Sequence, residues 1–264
     1  MFQYFKQRSC ELEQIDKGEY TQSEYEGCII ELQRVNRWLG DAWTFRRTLL
    51  REVGKSTLRS FSILDVGAGS GELLRVAADW ARESNRSLHS IGLELNQFSA
   101  RSILAESLQF PSISAVRGDA LRLPFADRQF DYAISSLFTH HFTDAQVVAV
   151  LREMGRVARR GVCVIDLHRH PVAYYFYSTI GRLILHNRLL REDGALSIRR
   201  SFKPAELLSL GRRAGLLLPR VERHFPYRLV LRALPQLPDR ALSKSPSFPE
   251  TQTNKGNSQA NKAA

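Results

Sequence analysis

Between Ser62 and Leu167 the chain alternates short apolar, β-rich runs with longer stretches of helical spacing. SILDVG, LHSIGLEL, ISAVRGD, FDYAISS and GVCVIDL are separated by amphipathic segments. That alternation predicts an α/β fold, a parallel sheet joined by crossover helices. Upstream, apolar positions recur at helical intervals (Ile29, Leu32, Val35, Trp38, Leu39, then Trp43, Leu49, Leu50), with Gly40 as a breaker. They predict two or three helices within an N-terminal helical segment, residues 1–60. Downstream, VAYYFYSTIGRLILHNRLL has helical spacing and aromatic content, PAELLSLGRRAG reads as a helix, and Val221 to Leu231 as a terminal strand or hairpin. From Ser243 to Ala264 the residues are mostly Ser, Gln, Asn, Lys and Pro, with Phe248 the one large apolar side chain. This tail is expected to be disordered, since it cannot bury enough surface to offset its ordering entropy.

Composition narrows the class. Of 264 residues, 43% are apolar, enough for one sizeable core. No apolar run approaches the roughly 18 to 20 residues that cross a bilayer. The N-terminus, MFQYFKQRSCELEQIDKGEY, lacks an apolar signal region, so a cytoplasmic location is expected. Cys10, Cys28 and Cys163 are too widely spaced for a disulfide framework or a metal cluster, and no metal is predicted. The net charge of +11 lies wholly between Leu151 and Arg232, where 17 basic side chains face 6 acidic ones. Such a cluster can attract RNA, an anionic membrane surface or acidic substrates, or be a plain arginine-rich surface.

The sharpest motif is ILDVGAGSGELL, Ile63 to Leu74. Gly67, Gly69 and Gly71 let the backbone turn tightly and let a ligand lie against it without a Cβ in the way. A dinucleotide fingerprint would want glycine where Glu72 stands, and that carboxylate would repel a pyrophosphate at the helix N-terminus. A ligand without phosphates and carrying positive charge suits the loop better. Glu94 closes the second predicted strand, where an acid can accept both hydroxyl protons of a ribose. Asp119 follows the third, placed to accept from an adenine amino group while the Ala120 N–H meets a ring nitrogen. The fourth strand runs from Asp131 to near Ser135, which joins the candidate cofactor-binding set.

Together these residues resemble the class I S-adenosylmethionine-dependent methyltransferases, over about Phe61 to Leu231. The resemblance implies a doubly wound, mostly parallel seven-stranded Rossmann-like sheet over residues 61–242, capped by the N-terminal helices, and the aromatic segment after the fifth strand is expected to form an inserted lid at 171–198. It also implies that Asp65 and the three glycines lie along the methionine part of S-adenosylmethionine, Glu94 holds the ribose and Asp119 meets the adenine. NRWLGD, THHFTD, RVARRGVCVIDLHRHPVAYY and LSIRRSF look like bacterial small-molecule methyltransferases found beside type III polyketide synthases, associated with alkylated phenols and quinols. The expected acceptor is therefore a small aromatic or lipid-like molecule methylated on a phenolic or quinol oxygen.

His140 and His141 follow the fourth strand and are the candidate catalytic bases, since a neutral imidazole can take a phenolic proton. Asp166 is placed to orient His168 or His170. Arg188, Arg191, Arg199 and Arg200 flank the aromatic segment and would suit peripheral contact with an anionic membrane. An RNA or protein methyltransferase is the enzyme alternative. SSLF stands where nucleic-acid amino methylation uses an Asn/Asp-Pro-Pro-aromatic turn, so nucleic acid is not the expected partner. A non-catalytic S-adenosylmethionine-binding module is the other alternative, and the oligomeric state is left open.

Overall fold

The structure, a computed structural model, describes residues 5–236. The disordered-tail expectation for Ser243 to Ala264 lies outside the described residues. Helices α1 (Gln14–Lys17) and α2 (Gln22–Trp38) come first, α2 starting at a capping box between Thr21 and Glu24. Then α3 (Asp41–Phe45) runs through a π-helical turn, Arg46–Leu50, into α4 (Arg51–Lys55). Strand β1 (Ser60–Val66), α5 (Glu72–Glu83), β2 (Ser87–Glu94), α6 (Gln97–Glu106), β3 (Ile113–Arg117), β4 (Phe130–Ser136), α7 (Asp144–Val157) and β5 (Ala158–Leu167) form the alternating centre. An insert follows: α8 (Pro171–Phe176), a second π-helical turn (Tyr177–Gly181), α9 (Arg182–Ile184) and α10 (Arg188–Arg200). Helix α11 (Pro204–Arg213) and the hairpin β6 (Leu217–His224) and β7 (Arg228–Leu234) complete the described chain.

The strands form one seven-stranded sheet in the order β3-β2-β1-β4-β5-β7-β6. All neighbours are parallel except β5–β7 and β6–β7, as expected for a doubly wound, mostly parallel sheet. The hairpin alternative holds for the last segment, beginning earlier than the expected Val221.

Strand β1 shows why these runs become central strands: six of its seven residues are buried. Phe61 and Ile63 point into one core with Leu73, Leu74 and Ala77 of α5. Leu64 and Val66 point into the other with Val147, Leu151 and Met154 of α7. A strand covered on both faces must be apolar at both parities, and that is the run the sequence shows.

The insert and the N-terminal helices meet outside these cores. Cys28 packs with Leu185, Leu189 and Leu190, against Leu32, Val35 and Tyr177. Gly194 of α10 lets the Tyr177 ring close in, since a Cβ there would lie 1.9 Å from it. Glu31 of α2 accepts from the backbone N–H groups of His186 and Asn187 at 2.9 and 2.7 Å, fixing the start of α10.

A buried ion pair ties α3 to the hairpin: Arg228 Nε donates to Asp41 Oδ1 at 2.5 Å, both side chains almost wholly buried. Arg228→Ala leaves that carboxylate without its partner. It should lower stability by about 3 to 5 kcal/mol and the melting temperature by about 6 to 20 °C in calorimetry.

Candidate active site

Where β1 ends, Gly67, Gly69 and Gly71 all have positive φ (72°, 58° and 80°), so the loop folds back before α5 starts. A Cβ on Gly67 would lie 2.3 Å from the Phe138 ring, whereas one on Gly69 would meet nothing within 4 Å. The Gly69 N–H donates to Glu94 Oε1 at 2.6 Å, which brings the acid at the end of β2 onto the glycine loop. Burial pushes the Glu94 carboxyl up to about 7, against the lowering effect of the Gly69 and Leu95 N–H groups. Beneath the loop Asp65 is buried, and burial together with the neighbouring Glu94 pushes its carboxyl up to about 8. Its Oδ1 has no hydrogen-bond partner among the described residues. A buried carboxyl oxygen of this kind calls for a donor, and a cationic one would restore its charge.

The other half of the site lies past β4. Leu137 takes a left-handed conformation (φ 51°), and its N–H donates to Ile165 O at 2.9 Å. This turn lays Phe138 over Gly67 and sends Thr139–His141 into a short 3-10 turn against β5. There the fully buried Asp166 accepts from Thr139 Oγ1 at 2.5 Å, His140 N at 3.1 Å and Leu167 N at 2.7 Å. Its Oδ1 also pairs with His140 Nδ1 at 2.7 Å. Burial opposes ionisation, but His140 and these hydrogen bonds hold the Asp166 carboxyl below the ordinary carboxylate range. An ionised Asp166 accepts a proton from Nδ1 and so fixes the orientation of the ring, with Nε2 on the side away from Asp166. Glu13 Oε1 is 3.9 Å from Nε2, beyond hydrogen-bond reach.

His141 is in a different state. Its Nδ1 lies 3.0 Å from Asp16 Oδ1 and 3.8 Å from Glu13 Oε2. Burial lowers its pKa and Arg200 opposes the charge, but the Glu13 carboxylate and the Asp16 hydrogen bond prevail and hold it up at about 9. That shift favours the imidazolium, whereas the sequence led us to expect a neutral base here. The ligating atoms of Glu13, His140 and His141 lie within 4.8 Å of one another, a set that could hold a metal and that cysteine spacing gave no sign of.

Both imidazoles line a chamber of about 400 Å³ between the N-terminal helices, the insert and the β6–β7 turn. Glu13, His140, His141 and Asp193 form its polar end; Leu32, Val35, Phe176, Leu189 and Ile198 are among its apolar walls.

A family model described as a methyltransferase domain matches residues 63–161, the stretch from β1 into β5 that carries the glycine loop and Glu94. Residues 63–161 are thus similar to a methyltransferase domain. Among curated proteins, a demethylmenaquinone methyltransferase of Roseiflexus sp. (strain RS-1) is 33% identical over 121 residues, 43% of this chain and 48% of that protein. A human protein named probable tRNA methyltransferase 9B is 32% identical over 117 residues, 44% of this chain and 22% of that protein. The chain thus spans less than half the length of either. A solved S-adenosylmethionine-dependent methyltransferase from Aquifex aeolicus superposes with a TM-score of 0.53 at 14% identity, covering 76% of this chain and 96% of that one, which shows a shared fold.

Asp65, the three glycines and Glu94 lie together at the carboxyl ends of β1 and β2. Ser135 does not join them: its buried Oγ donates to Val66 O at 2.8 Å, spending the hydroxyl inside the sheet. Asp119 lies two residues past β3, exposed, its Oδ1 accepting from Leu121 N at 2.8 Å, with Ala120 buried beside it. Asp166 orients His140, not His168 or His170. Of the arginines expected to face a membrane, Arg188 pairs with Glu24 and Glu192, Arg199 with Glu11, and Arg200 is buried; Arg191 is exposed. Glu13 and Asp16 are the site residues the sequence did not reveal. They stand in an ordinary polar stretch, and only folding carries them some 125 residues along the chain to His141.

The loop gives a paired test. Gly67→Ala meets both a left-handed backbone and the Phe138 ring and should cost about 3 kcal/mol; Gly69→Ala, with open space, should cost about 1 kcal/mol. Denaturant unfolding of the two variants measures the difference.

Proposed function

We propose that the protein transfers a methyl group from S-adenosylmethionine to a hydroxyl oxygen of a small, largely apolar aromatic acceptor held in the chamber. The carrying observation is His140, paired with Asp166, at the polar end of a largely apolar cavity. The relative named demethylmenaquinone methyltransferase makes a quinol the first acceptor to try. In this reading the N-terminal helices act as the cap, the 171–198 insert as the lid, and both exclude water from the reacting atoms.

Asp65, Gly67, Gly69, Gly71 and Glu94 would hold the cofactor, with Asp119 and Ala120 at its far end. The orphaned Asp65 oxygen fits its ammonium group, and Glu94 fits its ribose hydroxyls. When bound, the cofactor supplies a methyl already activated on a sulfonium. His140 Nε2 accepts the acceptor's hydroxyl proton as the oxygen becomes nucleophilic, and ionised Asp166 stabilises the resulting imidazolium. The His141 imidazolium supplies fixed positive charge beside the developing phenolate.

His140→Ala should lower turnover by about 10² to 10⁴-fold with cofactor affinity retained. The deficit should shrink towards pH 10, where solvent itself supplies the phenolate. His141→Gln should show no such rescue, because no proton acceptor has been removed. Rate against pH for both variants, with a quinol and a simple phenol, decides the roles; a constant His140→Ala deficit up to pH 10 removes the base.

Asp65 gives a second test. A carboxyl held protonated up to about pH 8 ionises when a cation comes to rest beside it. Cofactor binding between pH 5 and 8 should therefore release protons, seen as a buffer-dependent binding enthalpy. Asp65→Asn should remove Asp65's share of that release.

A further inference from the structure

On the far side of the chamber wall lies a larger, open cleft of about 1070 Å³. His168, Val172, Phe225 and Tyr227 line both cavities, and Phe225 is 83% exposed. The cleft also takes in Lys6, Lys203 and Arg223, which come from the N-terminal segment, the start of α11 and β6, together with His170. No aspartate or glutamate among the described residues lines it. None of the three cations has a carboxylate within ion-pair distance among the described residues.

The nearby acids are committed elsewhere. Glu206 pairs with Arg169 and accepts from Lys203 N at 2.8 Å, while Glu222 pairs with Arg232 and His224. Arg169 also lines the cleft, but its guanidinium is turned inward: only 1% of the residue is exposed, and it donates to Ser201 O at 2.6 Å and Phe5 O at 3.2 Å. That buried arginine anchors the N-terminal segment and so brings Lys6 to the cleft from a distant part of the chain.

The geometry is that of an anion site, and we infer that this cleft binds a phosphate group through Lys6, Lys203 and Arg223. Three cations from separate elements share one concavity with no lining acid, which concentrates positive potential inside it. His168 registers that field. Burial first, and then His170, Arg223, Arg169 and Lys203, press its imidazole down to about 4, so it faces the cleft neutral and able to donate one hydrogen bond. The phosphate could belong to a free phosphorylated molecule or to a lipid headgroup, and the shared wall places it beside the acceptor chamber. Direct binding tests the cleft independently of any methyl transfer.

Pyrophosphate and, separately, single-stranded RNA oligomers of increasing length are titrated into the full chain by calorimetry at low salt, and sedimentation is followed with phosphatidylcholine vesicles with and without phosphatidylglycerol. Saturable binding of one pyrophosphate, weakened about tenfold by Arg223→Gln and by Lys203→Gln and lost in the double variant, supports a free phosphorylated ligand. Sedimentation with phosphatidylglycerol vesicles that depends on the same two residues supports a headgroup. Binding of neither probe overturns the site, as does binding that the double variant retains. Binding confined to single-stranded RNA and growing with its length also overturns it, since that marks a diffuse basic surface. Arg223 is exposed and circular dichroism checks the fold. S-adenosylmethionine affinity measured alongside separates failure here from failure of the methyltransferase reading.

Discussion

The chamber end of the site depends on the Asp166 carboxylate. It is fully buried at the end of β5, yet four donors from Thr139, His140 and Leu167 converge on it. A carboxylate so placed stays ionised because those donors replace the water it lost. Its acceptance of the Nδ1 proton fixes the tautomer and the direction of His140. The same bonds hold the 139–141 turn against the sheet, so the carbonyls of His140 and Phe142 become fixed acceptors for Arg8, at 3.2 and 2.9 Å. Arg200 Nε reaches His140 O as well, at 3.2 Å. One buried charge thus organises a turn, and the turn gives the N-terminal segment and α10 a place to dock.

Arginines brace that assembly from inside. Arg169, Arg200 and Arg228 are almost fully buried, each donating to backbone carbonyls or a carboxylate on a segment far away in the chain. The planar guanidinium serves several acceptors at once, which suits it to joining segments with no apolar face to share. Part of the basic excess between Leu151 and Arg232 is therefore internal bracing. Another part, with Lys203 and Arg223, faces the open cleft. The two halves of the site differ accordingly: the glycine loop is set by backbone conformation next to a rigid strand, whereas the chamber depends on long-range polar contacts.

The sequence by itself determined the sheet and the glycine loop that follows β1. Runs such as SILDV can be buried only as central strands, and glycines at 67, 69 and 71 announce a backbone that side chains disfavour; both signals lie within a dozen residues. Glu94 was legible for the same reason, since its position follows from a strand end. Ser135 misled because a strand end gives place but not direction, and its hydroxyl turned to the neighbouring strand. What only the tertiary structure decided is the company of the histidines. HH at 140 and 141 reads as two equivalent imidazoles, but one meets Asp166 from the next strand and the other meets Asp16 from the N-terminal segment. Those acids are 26 and 125 residues away, and imidazole titration depends on what stands within a few ångströms. Distance in space, which local pattern does not encode, gave the two neighbouring imidazoles different partners.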